Sequence, residues 1–159
     1  MLDAIRRDAV QLHAAWKAGA LGGEFMPEDV HPALDRSSEA LARYFTLGMT
    51  LNYQRDSYAL WRACTATFND PTLSWVFEPE RVAAASAGDL AQALLARRVA
   101  LQPNRHPAIW RRNAEGWLRL ADGQVRALFD REGGDLGRVR AVLAEHRAWF
   151  PYLSGPKIL

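Results

Sequence analysis

The chain has two lysines, and one of them stands where chemistry is conceivable. Lys157 follows Phe150-Pro151-Tyr152-Leu153-Ser154-Gly155-Pro156. Pro151, Gly155 and Pro156 favour a turn, and Lys157-Ile158-Leu159 reads as the opening of a new helix. Elsewhere the usual arrangements are missing. His13, His31, His106 and His146 are far apart and have no metal-ligand spacing. There is no Walker loop. Asp130 and Glu132 are two residues apart and do not share a helix face. Ser154 before Gly155 does not make a nucleophile elbow. Cys64 is the only cysteine, which excludes an internal disulfide or a cysteine-ligated iron–sulfur cluster within the chain. It lies on the apolar side of a helical pattern, where a cysteine is ordinarily core. A Cys–His dyad stays open on sequence alone. No cofactor is expected.

The elements that must carry these residues are helices. Leu2, Ile5, Ala9, Leu12 and Trp16 recur at three/four spacing, and Gly19, Gly22 and Gly23 end that run. Ser37 or Ser38 can cap a second helix with Leu41, Tyr44, Phe45 and Leu51 on its apolar side. Asn52 and Tyr53 lead into a turn. Asp56 then caps SYALWRACTATF, with Leu60, Trp61, Cys64 and Phe68 on one side. TLSWVFEP (Thr72–Pro79) is the best strand candidate in the chain. A short helix is expected from Pro79 or Glu80 to Ala85, and another after Ser86. Leu101–Arg105 is a turn, and Pro107 suits the first position of a helix through Leu120. A short helix around Val125–Phe129 ends near Gly133-Gly134. Asp135 caps the last full helix, in which Leu136, Val139, Val142 and Leu143 are expected to face inward. The expectation is an all-α fold of seven or eight helices in one domain, residues 1–159. Six tryptophans are distributed through these helices, chiefly as core or half-buried residues.

Composition is that of a globular protein, with 49% hydrophobic and 24% charged residues. No apolar run reaches the ~20 residues of a membrane span. The N-terminus, with Asp3 and Asp8, matches neither a signal peptide nor a typical transit peptide. A cytoplasmic, nucleoid-associated location and no membrane partner are expected. Charge is uneven. Residues 1–96 hold 8 Lys/Arg and 12 Asp/Glu, and residues 97–159 hold 12 Lys/Arg and 6 Asp/Glu, which together give the net +2. A basic half suits a polyanionic partner, although arginines can equally form a solvated face.

Two stretches, Met49–Ala63 (MTLNYQRDSYALWRA) and Asp135–Leu159, together resemble the helix–hairpin–helix DNA glycosylase superfamily, which includes endonuclease III and the 8-oxoguanine glycosylases. In that family an early helix ends in a Gln-rich pattern before the next helix begins, and Gln54 and Arg55 stand at the matching places. Much later a helix leads into a hairpin of the form Pro-Gly-Val-Gly-Pro-Lys, and here Pro151–Lys157 stands there. The hairpin is one residue longer, with Tyr152-Leu153-Ser154 where Gly-Val is usual; Gly155 keeps its place. Leu101–Ala121 resembles the intervening segment, a turn and a helix supporting the DNA-facing surface. The resemblance covers roughly residues 41–159, and residues 1–40, a helix and a loop, match nothing in it.

The resemblance implies a base-excision-repair N-glycosylase/lyase-like domain with double-stranded DNA, damaged or abasic, as partner. Ser154 and Gly155 would present backbone N–H groups to a phosphate. Gln54 would fill the gap left by an extruded base; otherwise it caps or bridges a turn. Arg55 and Arg105 would contact DNA, with Arg97, Arg98, Arg138, Arg140 and Arg147 as further candidates. Lys157 matches the Schiff-base lysine of bifunctional members, which needs a lowered pKa; otherwise it is an exposed lysine at a helix start. The family's essential aspartate follows the hairpin, and this sequence ends before it. A catalytically incomplete domain is therefore expected, with the Leu159 carboxylate favouring protonated Lys157. The alternative is a non-enzymatic helical protein-interaction module.

Overall fold

The computed structural model describes residues 2–18, 20, 30–53 and 55–153, and side chains of all of these except residues 2–5, 16 and 17. The described residues form eight α-helices and no strand. They are α1 (Leu2–Lys17), α2 (Glu39–Met49), α3 (Ser57–Phe68), α4 (Pro79–Ala84), α5 (Ala87–Ala96), α6 (His106–Ala121), α7 (Val125–Arg131) and α8 (Leu136–Glu145). No helix among them is long and apolar enough to cross a membrane.

Local chemistry fixes most helix starts. The side chains of Ser38, Asp56, Ser86 and Asp135 each accept a backbone N–H from the first turn that follows. Such caps contribute about 1 kcal/mol each. Thr72–Pro79 does not form the expected strand. Asp70 takes the Thr72 N–H and hydroxyl, and Ser74–Phe77 becomes a single 3₁₀ turn ending before Pro79. That turn buries Val76 and Phe77 just as a strand would. Leu136 also departs from expectation. It is 59% exposed, standing ahead of the buried stripe of Val139 and Leu143.

Two hydrophobic clusters share α6. Tyr44, Leu47, Leu60, Trp61, Cys64, Phe77, Leu94 and Trp110 belong to the first. Trp117, Val125, Leu128, Val139, Leu143, Phe150 and Leu153 form the second. Trp110 donates its indole N–H to the Val76 carbonyl at 2.7 Å, which satisfies a polar atom in the first cluster. Glu39 ties the two halves together. Its carboxylate accepts the Val125 and Arg126 N–H groups at the start of α7, and Arg43 joins Glu39 to Glu80 and the Gly123 carbonyl.

One contact places the end of the described chain. Gly116 of α6 lies flat under residues 149–150, so that a Cβ there would meet Phe150 Cζ and Trp149 Cβ at 2.7 Å. Phe150 is fully buried with its ring 4.9 Å from that of Trp117. The turn after α8 is thereby pressed onto α6, with Leu153 buried in the same cluster as Trp117.

Candidate nucleic-acid interface

The turn between α2 and α3 is built by its own side chains. Asn52 Oδ1 accepts the Ser57 hydroxyl at 2.8 Å, and Asp56 Oδ1 accepts the N–H groups of Tyr58 and Ala59. Arg55 reaches out of this turn to the one after α5. Its Nη1 donates to the Val99 carbonyl at 2.7 Å and its Nη2 to the Arg98 carbonyl at 3.1 Å. The carbonyls it holds belong to a turn in which Arg98 takes a left-handed backbone, φ 62°. Arg55 Nε is buried without a hydrogen-bond partner among the described residues. Arg55 thus stands between turns as a clamp, with its two terminal nitrogens directed at the backbone.

The same turn continues into α6. The Leu101 N–H donates to His106 Nδ1 at 3.1 Å, so that nitrogen is unprotonated. Burial, then the charges of Arg55 and Arg105, hold the His106 pKa below its ordinary value. Arg105, the residue before α6, directs its guanidinium outward, and Nη2 donates to the Tyr152 hydroxyl at 3.0 Å. Tyr152 in turn lies against Tyr53, their ring centroids 5.5 Å apart at 36°. Tyr53 is half exposed.

Three separate segments therefore meet at one surface: Tyr53 beside Gln54, Arg105 in the turn before α6, and Tyr152 in the turn after α8. A tilted pair of tyrosines with an arginine at its edge offers an aromatic face for stacking and a donor for an anion. Of the residues singled out in the sequence, Arg55 and Arg105 are joined to this surface, Arg55 through the turn it clamps. Gln54, Ser154, Gly155 and Lys157 lie outside the described residues. Arg138, Arg140 and Arg147 are exposed on or just after α8, where Arg138 pairs loosely with Asp135 at 3.8 Å.

The other candidate chemistry recedes. Cys64 is fully buried in the cluster that holds Trp61, and burial pushes its thiol pKa up to about 12, far from a thiolate nucleophile. His31 sits edge-on to Tyr44, Phe45 and Trp61, with burial lowering its pKa. No group of three or more His, Cys, Asp or Glu among the described residues could hold a metal ion.

Sequence reasoning missed Tyr53 as a partner of Tyr152. Arg62, exposed on α3 on the face opposite buried Leu60, Trp61 and Cys64, lines a groove with Arg97 and Arg98. Compared with known proteins, the chain matches no family model, no curated protein and no solved structure.

Proposed function

We propose that this chain is a duplex-DNA-binding domain of the helix–hairpin–helix glycosylase kind, directed at damaged or abasic DNA. The observation that supports the reading is the meeting of Tyr53, Arg105 and Tyr152. Each comes from one of the three segments that carry the resemblance, and those segments are well separated in the chain. In this reading the tyrosine pair stacks beside a base that has left, or can leave, the helix, and Gln54 next to Tyr53 enters the gap. Arg105 contacts a phosphate at the edge of the pair. Ser154 and Gly155, directly after Leu153, offer backbone N–H groups to the strand. Glycosylase/lyase chemistry would fall to Lys157, whose amine attacks the sugar C1′ while the base departs.

The test is fluorescence anisotropy of a labelled duplex. Binding without sequence preference is expected, with affinity falling steeply as salt rises, because phosphate contacts release condensed counterions. An abasic duplex should bind more tightly than the intact one. No binding at low salt would instead leave a helical protein-interaction module.

A further inference from the structure

We infer that the open groove between α3 and the turn after α5 is a second phosphate-binding tract, carrying DNA backbone away from the tyrosine pair; this rests on the DNA-binding reading above. The groove, about 580 Å³, is lined by Arg55, Asp56, Arg62, Arg97, Arg98 and Leu101 among others. Four of its lining residues are arginines.

The single lining carboxylate does not balance them. Asp56 is already engaged as the cap of α3, where it takes two backbone N–H groups. Arg97 has a partner outside the groove lining, Asp70 at 3.0 Å. Arg55 is held by the carbonyls of Val99 and Arg98. Arg62 and Arg98 are exposed and make no ion pair among the described residues. Like charges gathered around one groove repel one another until an anion enters, and two guanidiniums without an ion pair among the described residues suit phosphodiester oxygens, to which arginine presents a planar fork.

The groove shares turns with the surface already described. Arg55 leaves the loop that holds Tyr53 and forms part of the groove wall. Leu101 lines the groove, and its N–H is fixed by His106, the residue after Arg105. His106 feels the charges of both Arg55 and Arg105, so the groove wall and the arginine at the tyrosine pair flank the same imidazole. Arg98 holds its position on a left-handed backbone that a glycine adopts freely. Arg98→Gly accordingly removes the charge and keeps both the turn and the carbonyl that Arg55 requires.

The experiment compares the full chain with Arg62→Gln, Arg98→Gly, the double variant and Arg105→Gln. Each is titrated with labelled duplex over a range of salt, and thermal melting checks the fold. The expected result is a salt slope lower by about one in each single variant and by about two in the double variant, because each arginine removed leaves one phosphate unneutralised. If Arg105→Gln lowers the slope and the double variant does not, the groove is not a phosphate tract and the DNA reading stands. If the parent chain fails to bind duplex at low salt, both fall. Polyglutamate held as tightly as duplex, and released by the double variant, would overturn the proposal in favour of an acidic protein partner.

Discussion

Arg105 donates to the hydroxyl of Tyr152 at 3.0 Å, joining the start of α6 to the turn after α8. The bond is on the surface, where it adds little to stability, but it aims a guanidinium along the rim of the tyrosine pair. Tyr152→Phe removes the acceptor and leaves the ring. The expected outcome is a stability change within about 0.5 kcal/mol, typical of an exposed site away from packing. Duplex affinity should fall less than in Arg105→Gln, and the salt slope should be kept, because Arg105 still reaches phosphate. Anisotropy beside chemical denaturation separates the two variants.

Tyr53→Ala tests the aromatic face. Removing a stacking platform costs about 1–3 kcal/mol of binding per base. We expect that cost to be larger on abasic or mismatched duplex than on perfect duplex, since only there can a base or a gap meet the ring. Gln54→Ala should likewise weaken the preference for abasic or mismatched duplex, with general binding retained. Equal weakening on both duplexes would remove these residues from base recognition and leave them as structural turn residues.

The legible part of this fold is its local chemistry. Asp56, Ser86 and Asp135 cap helices by bonding to backbone only two or three residues away, so a short window of sequence contains the whole interaction. Ser74–Phe77 was illegible for the converse reason. An apolar run that must be buried looks the same as a strand or as a 3₁₀ turn, and here the Asp70–Thr72 contact and Pro79 decide. The meeting of Tyr53 with Tyr152 depends on packing of α6 against Trp149 and Phe150, which no local pattern encodes. The clamp role of Arg55 was hidden too, because its partners are backbone carbonyls in a distant turn.

Gly116 is where that packing can be tested. In Gly116→Ala the new Cβ would collide with Trp149 Cβ, which is anchored to backbone, and with the ring of Phe150. Overpacking of this kind costs about 1–3 kcal/mol. Against it stands a helix-propensity gain of about 1 kcal/mol for alanine over glycine. The net expectation is destabilisation, seen as a lower denaturation midpoint. Displacing residues 149–150 should also move Tyr152 and weaken duplex binding more than the fall in stability alone explains. A Gly116→Ala protein as stable as its parent would show that the turn after α8 is free to shift.

His106 gives a dependence on pH. Its Nδ1 accepts the Leu101 N–H, and burial with the nearby Arg55 and Arg105 holds its pKa below the ordinary value of 6.5. The folded state thus resists a proton that the unfolded chain accepts. The neutral imidazole's stabilising contribution is complete above about 6.5 and is lost as pH falls through the lower folded pKa. Comparing denaturation midpoints of the parent and His106→Gln across this range should show the parent's advantage shrinking on acidification. Duplex binding should raise the His106 pKa, since a phosphate on Arg105 offsets the cations beside the ring, and NMR titration of the imidazole reads that directly.

Lys157 carries the enzymatic part of the proposal, and the composition makes its test unusually clean. The chain has only one other lysine, Lys17. A lyase lysine forms a Schiff base with an abasic site, and borohydride reduces it to a stable amine. A catalytically incomplete domain should trap an abasic duplex poorly; whatever trapping occurs should persist in Lys17→Gln and vanish in Lys157→Gln, while anisotropy shows that both variants still bind. Peptide mapping of the trapped species distinguishes Lys157 from the N-terminal amine, the remaining possible nucleophile of this type. Trapping by Lys157→Gln equal to the parent's would make Lys157 a surface residue. If the parent does not trap, lyase chemistry leaves the proposal, while the tyrosine pair and its arginines continue to be judged by binding alone.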